Sequence, residues 1–125
     1  MNFSMHNSIY KIIEVDQNQL MKYKEENVGY YYGQTHFIDQ EIWIYKDLPY
    51  ERKKRTLYHE LMHVYIREYI STRDIEPDEE MLCDICANAH ETIDTIANKY
   101  FMYIDYNKNE KKEIEENEDN WRKTY

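Results

Sequence analysis

Alternating apolar and polar residues in the first half of the chain predict short β-strands. Residues 9–15 form a run with high β-propensity, and residues 30–37 and 41–46 predict two strands joined by a hairpin-length connection. Gly29 and Gly33 fall at or inside the first strand of that pair, which predicts a β-bulge there. Between the first run and the pair, residues 16–26 are polar with a few apolar positions and predict a short helix.

Apolar residues in the second half of the chain recur with the spacing of two long helices. Pro49 is expected to open the first helix, in the first-turn position that proline tolerates best, and apolar residues continue at helical spacing to residue 70. Pro77 is expected to open the second, which should run to about residue 101. Its predicted apolar stripe is Leu82, Ile85, Ala89, Ile93, Ile96 and Tyr100. The expected fold class is α+β, with a small three-stranded sheet packed against two long helices.

Length and charge limit the function classes. A chain of 125 residues makes one domain, which we place at residues 1–104, followed by a charged tail at 105–125 that reads as a solvated helix or a disordered segment. The net charge of −9 makes the protein a poor candidate for binding nucleic acid through the phosphate backbone, and we expect no direct nucleic-acid partner. No run approaches the roughly 20 apolar residues that a membrane span needs, and no secretory signal precedes the domain, so we expect a cytoplasmic protein with no membrane partner. The excess of Tyr, Asn, Ile and Lys is typical of AT-rich bacterial genes and points to a bacterial host.

Candidate chemistry lies on the first long helix, where His59-Glu60-Leu61-Met62-His63 is an HExxH sequence. Residues four apart lie on one face of a helix, so both imidazoles can reach one metal ion. Glu60 is rotated by about a third of a turn from them, where its carboxylate can take a proton from a water on the metal without binding the metal itself. The alternative is a helix whose two histidines are ordinary, partly buried residues with no metal between them.

A catalytic zinc ion needs a third protein ligand and an open position. On the second helix, Glu80 and Asp84 are four residues apart, so Glu80 can bind the metal and Asp84 can hold the far nitrogen of a ligating histidine. The alternative for both is a solvated first turn, stabilised by negative charge at the helix N-terminus. His90 is the second candidate for the third ligand.

The HExxH sequence followed by Glu80-x-x-Cys83-Asp84-x-Cys86-Ala87 resembles the ImmA/IrrE-like metallo-endopeptidases, which carry a glutamate ligand in an E-x-x-A-N/D-x-F-A pattern. Glu80 falls on the family's ligand and Asp84 on its Asn/Asp, while cysteines stand where the family has alanine and an aromatic residue. The resemblance covers roughly residues 30–101. It implies a zincin-like minimal metallopeptidase fold. The Glu-x-x-x-Asp arrangement is also shared with gluzincin peptidases more widely.

The resemblance also implies a function. His59, His63 and Glu80 would bind Zn²⁺, Glu60 would be the general base, and the substrate would be a protein, a helix-turn-helix repressor of a phage or mobile element. A substrate segment would bind extended beside the metal, and we nominate residues 41–46 as the edge strand that receives it. The alternative is a catalytically silent binding module with the same fold, acting as an anti-repressor or anti-defence factor.

Two further patterns have plain interpretations. Cys83 and Cys86 form a CxxC sequence in mid-helix, which we interpret as two small buried residues rather than a redox or metal site. The basic run from Arg52 to Arg55 lies near a helix N-terminus, and we interpret it as a solvated face rather than a docking site for an acidic partner.

Overall fold

The computed structural model describes residues 1–21, 32–70 and 78–123, without the side chains of residue 106 and residues 108–123. The described chain is an α+β fold with four strands and three helices. The strands are β1 (Asn2–Met5), β2 (Ser8–Val15), β3 (Gly33–His36) and β4 (Glu41–Tyr45). The helices are α1 (Gln17–Met21), α2 (Tyr50–Tyr69) and α3 (Glu79–Lys123).

The sheet has the order β1-β2-β4-β3, in which β2 and β4 are parallel and the two outer pairs are antiparallel. The expectation of three strands is therefore wrong, because β1 adds a fourth within the described residues. Strand β1 is only four residues long and turns into β2 through His6 and Asn7, with His6 at a φ of 54°. A segment so short, with no glycine at its turn, lacks the hairpin signal that sequence reading relies on.

One face of the sheet packs against α2 and α3. Alternate strand residues point to this face and are buried with apolar residues of both helices, as the two-residue period of a strand requires. The main members of this core are Phe3, Tyr10, Ile12, Ile42 and Ile44 from the sheet, Leu57, Leu61 and Val64 from α2, and Ala89, Ile93, Ala97 and Tyr100 from α3. On the opposite face α1 supplies the buried Leu20, whose carbonyl oxygen accepts a hydrogen bond from Gln34.

Helix α2 follows the prediction closely, since Pro49 is its N-cap and it ends at Tyr69. Helix α3 differs from the prediction, because it continues past residue 101 to Lys123 and so includes most of the expected tail. Of the described helices, none combines the length and the hydropathy needed to cross a bilayer. Pro77 and Gly29 lie outside the described residues.

The first turns of α3 contribute little to the core, and this corrects the interpretation of the cysteines. Cys83 and Cys86 are both exposed, and Leu82, the first residue of the predicted stripe, is 49% exposed. The fully buried residues of α3 begin at Ala89. The apolar stripe was expected to reach the helix start, but only its later turns pack against the sheet and α2.

A polar network centred on Glu14 joins β2, α2 and α3. Lys53 as a whole is 7% exposed, and its ammonium group lies 2.7 Å from the Glu14 carboxylate. The same ammonium group donates a hydrogen bond to the carbonyl oxygen of Lys46. The Tyr100 hydroxyl donates to the same Glu14 oxygen at 2.9 Å. Burial, followed by the negative charge of Glu14, holds the pKa of Tyr100 well above its ordinary value. Lys53 is therefore a structural cation, and the prediction of a solvated basic face is wrong at this residue.

Candidate metal centre

The two histidines of the HExxH sequence lie on the side of α2 that faces away from the apolar core. Taking about 100° per residue, His59 lies about 140–160° around the helix from Leu57, Leu61 and Val64, and His63 lies about 100–160° from them. Both histidines are accordingly exposed, whereas Glu60 lies between the two faces and is only 6% exposed. The helix therefore presents two imidazoles to solvent beside one buried carboxylate.

The two imidazoles are spaced as ligands of a single ion. Their Nε2 atoms lie 3.2 Å apart, and the rings are nearly perpendicular at 77°. Two nitrogens at about 2.0–2.1 Å from a tetrahedral zinc ion are about 3.3–3.4 Å apart. A ligand atom from each of His59, Glu60 and His63 lies within 4.8 Å of the other two. The two imidazole nitrogens are therefore spaced as zinc requires, and Glu60 lies close enough to contact a water bound to the ion.

The Glu60 carboxylate is held in place by the neighbouring strand. Thr35 on β3 donates from its Oγ1 to Glu60 Oε2 at 3.1 Å. A hydrogen bond to a charged carboxylate is stronger than one between neutral groups, and it fixes the orientation of an otherwise rotatable side chain. One carboxylate oxygen is thus engaged, and the group is oriented beside the histidines.

Gly33 allows β3 to approach α2 this closely. A Cβ atom at residue 33 would lie 2.7 Å from Thr56 Cγ2 and 3.3 Å from Glu60 Cγ. The pairing of Gly33 with Ile44 continues without interruption to His36, so the predicted bulge is absent from the described part of this strand. Gly33 serves close packing beside the site instead.

Among the described strands, β3 and not β4 is the outermost strand next to the site. Strand β4 is paired on both sides, with β2 and with β3, so the nomination of residues 41–46 as the receiving edge strand is wrong. The Tyr45 N–H donates to the Tyr32 carbonyl oxygen at 2.9 Å. Hydrogen-bonded pairs alternate along an antiparallel ladder, so the backbone groups of Gly33 and Thr35 are directed away from β4. Strand order depends on pairing between distant segments, which the hairpin pattern alone did not reveal.

The carboxylates expected on the second helix are outside this group. Glu80 and Asp84 are both exposed on the first turns of α3, and neither belongs to the cluster that the described residues form around His59 and His63. The alternative ligand His90 is also exposed, and its Nδ1 lies 3.0 Å from Asp94 on the same helix. The structure thus brings together the three HExxH residues and leaves the third metal ligand as a prediction.

An open cleft of about 350 Å³ adjoins His59 and Glu60. It is lined by Tyr32 and Gly33 at β3 and by Arg52, Arg55, Thr56, His59 and Glu60 of α2. The Arg52 guanidinium lies over the Tyr32 ring, 5.1 Å from its centre. The cleft thus extends from His59 toward the N-terminus of α2.

Sequence reading missed two residues that shape this site. Gly33 and Thr35 are two apart in a strand, so they share one face, and both are small. A pair of small residues on one strand face is a signal for close packing against a helix, but the sequence does not show which helix. The partner became identifiable only from the contacts of Gly33 with Thr56 and of Thr35 with Glu60.

Comparison with known proteins returned no relatives. No protein-family model, no curated protein and no solved structure matches the chain. The function proposed below therefore depends on the chemistry of the described residues and on the motif resemblance.

Proposed function

We propose that the protein is a zinc-dependent endopeptidase that cleaves a protein partner. The observation that supports this is the cluster on α2, in which two imidazole nitrogens 3.2 Å apart lie beside a buried, oriented carboxylate. Two ordinary surface histidines would have no need of a carboxylate fixed next to them by another strand. This arrangement favours a hydrolytic site over an accidental HExxH sequence.

His59 and His63 would hold the ion through their Nε2 atoms, and Glu80 is our candidate for the third ligand. Glu80 lies outside the cluster around His59 and His63, so its approach to the ion requires a shift of its side chain or of the first turns of α3. Those turns are exposed and bury few side chains, so little packing opposes such a movement. Asp84, one turn further along, would then hydrogen-bond a ligating histidine. When bound, zinc acidifies a coordinated water and polarises a carbonyl group.

Glu60 would move the proton during hydrolysis. Its carboxylate takes a proton from the attacking water as the water oxygen bonds to the scissile carbonyl carbon. It then delivers that proton to the leaving nitrogen as the C–N bond breaks, so that the products are a carboxylic acid and an amine. Thr35 is a positioning residue, because its hydroxyl holds Glu60 Oε2 and acts on the substrate only through Glu60.

The substrate segment would lie extended along β3. The backbone N–H and C=O groups of Gly33 and Thr35 are directed away from β4, so they can pair with an added strand. Because β3 runs beside α2 at the level of Glu60, an added strand would pass close to the histidines. This position suits cleavage within a chain rather than at its end.

The expected partner is a helix-turn-helix repressor, as the resemblance to ImmA/IrrE-like endopeptidases implies. The competing function is sequestration of the same partner without cleavage. The oriented Glu60 favours the enzyme, because a binding module does not need a general base.

Co-expression with a helix-turn-helix repressor from the same genome, followed by mass spectrometry of that repressor, tests the proposal. Glu60→Gln keeps the size of the side chain but cannot accept the proton, and general-base catalysis contributes typically 10²–10⁴-fold. Glu51→Gln makes the same change at an exposed residue of the first turn of α2 and is the matched control. We expect fragments with wild type and Glu51→Gln but not with Glu60→Gln. Inactivation of the repressor by all three, with no fragments, would contradict the peptidase and favour sequestration.

A further inference from the structure

We propose that Arg52 and Arg55 form a subsite that selects an acidic side chain in the bound peptide, two or three residues from the scissile bond. The distance from the scissile bond rests on the proposed function. The preference for an acidic side chain is a binding property and is independent of that function. The proposal concerns the cleft between β3 and the first half of α2.

Helical spacing places both arginines on the face that carries the histidines. Arg52, Arg55 and His59 are separated by three and four residues, so they lie on neighbouring positions of one helix face. All three line the same cleft, together with Thr56. The cleft is therefore continuous from His59, one of the proposed metal ligands, to the two guanidinium groups.

The two arginines are available for an incoming anion. Both are exposed, and within the described parts of the chain neither forms a salt bridge. Lys53, between them in sequence, is instead buried and paired with Glu14. Of the described residues that line the cleft, only Glu60 carries a carboxylate, and one of its oxygens is held by Thr35. In a chain of net charge −9, this cleft is thus a local concentration of positive charge.

Tyr32 restricts the Arg52 side chain. The guanidinium group lies over the Tyr32 ring at 5.1 Å, which is a cation–π contact. Stacking leaves the edge of the guanidinium plane, with its N–H donors, available to a carboxylate. Less side-chain entropy is then lost when an acid binds there, which favours a defined subsite over diffuse attraction.

Distances along the helix give the position of the acid. Arg55 precedes His59 by four residues, or about 6 Å along the axis, and Arg52 by seven, or about 10 Å. An extended peptide advances about 3.3 Å per residue. A segment following β3 past the histidines therefore meets Arg55 about two residues, and Arg52 about three residues, from the scissile bond.

Peptide enrichment tests the subsite without requiring cleavage. Immobilised Glu60→Gln protein is exposed to synthetic octapeptides that share one host sequence and carry Glu, Gln or Lys at a single varied position. Mass spectrometry then measures which peptides are retained. The same experiment uses Glu60→Gln protein that also carries Arg52→Gln, Arg55→Gln or both, with Lys54→Gln as the matched control because Lys54 does not line the cleft.

We expect Glu-containing peptides to be enriched over their Gln counterparts by roughly two- to fivefold for each arginine, the range of exposed ion pairs. The preference should weaken as salt screens the charges. It should disappear in the double variant and remain with Lys54→Gln. Arg55→Glu should shift the preference toward Lys-containing peptides.

Equal retention of Glu and Gln peptides, or a preference unchanged in the double variant, would overturn the subsite. Incubation of the same mixture with zinc-loaded wild type tests the proposed function separately. Cleavage without any acidic preference would refute the subsite and leave the peptidase standing. Enrichment that depends on the arginines, without cleavage of any peptide, would support the subsite and count against the peptidase.

Discussion

Replacing Gly33 by alanine tests the packing that brings β3 to the candidate site. The added Cβ would lie 2.7 Å from Thr56 Cγ2, about 1 Å short of an ordinary carbon–carbon contact. It would also lie 3.2 Å from the Trp43 carbonyl oxygen and 3.3 Å from Glu60 Cγ. The new methyl would therefore contact a side chain of α2, the backbone of β4 and the proposed general base at once.

The Thr56 methyl cannot rotate away at small energetic cost. The Thr56 hydroxyl donates to the Arg52 carbonyl oxygen at 2.8 Å, so a change of rotamer would break that bond. Overpacking of this kind typically destabilises by about 1–3 kcal/mol. Replacing glycine by alanine also lowers the entropy of the unfolded chain, which stabilises by about 0.4–1 kcal/mol. We expect a net loss of about 1–2 kcal/mol in the free energy of unfolding.

Urea denaturation followed by circular dichroism measures the loss, and Thr56→Ser supplies the rescue. Serine keeps the hydroxyl bonded to Arg52 and removes the Cγ2 atom that the new methyl would meet. In the double-mutant cycle, Gly33→Ala should therefore be less damaging in the Thr56→Ser background, by about 1 kcal/mol. A stable Gly33→Ala variant, or a loss that Thr56→Ser leaves unchanged, would refute the close approach of β3 to α2.

Three further results are expected. Thr35→Val should leave zinc binding intact but lower kcat by roughly tenfold. The reason is that a hydrogen bond to a charged group contributes about 1.5–3 kcal/mol, of which only part is lost in the rate. An unchanged kcat would remove Thr35 from the mechanism. Glu80→Ala should weaken zinc affinity at least roughly tenfold in a chelator competition, and unchanged affinity would exclude Glu80 as the third ligand. Tyr100→Phe should lower the free energy of unfolding, measured in urea at pH 8, by about 1 kcal/mol. Because the pKa of Tyr100 is raised in the folded protein, the wild type should lose more stability than the variant as the pH rises above about 10. The same loss of stability with pH in both proteins would contradict this.

The local parts of this fold could be predicted from the sequence. Helix α2 begins where Pro49 predicts and buries Leu57, Leu61 and Val64, because apolar residues at helical spacing and a fixed proline φ are local signals. The HExxH spacing places His59 and His63 on one face for the same reason. These features need no knowledge of the rest of the chain.

The features that depend on distant segments could not be predicted. Strand β1 is a short edge, and its place in the sheet comes from pairing with β2 rather than from its own pattern. The burial of Lys53 requires Glu14, which lies 39 residues earlier in the chain. Cys83 and Cys86 have the small size typical of core residues, yet they are exposed because α3 meets the core only from Ala89 onward. Each of these outcomes depends on which segments meet, which a local pattern does not encode.

Zinc binding tests the central proposal most directly. Purified protein is dialysed against dilute zinc chloride and then against zinc-free buffer, and the retained metal is measured by mass spectrometry. We expect about one zinc per chain in the wild type and in Glu60→Gln, and almost none in His59→Ala or His63→Ala. A wild type that retains no zinc, or histidine variants that retain as much as the wild type, would contradict the metal centre and with it the proposed peptidase.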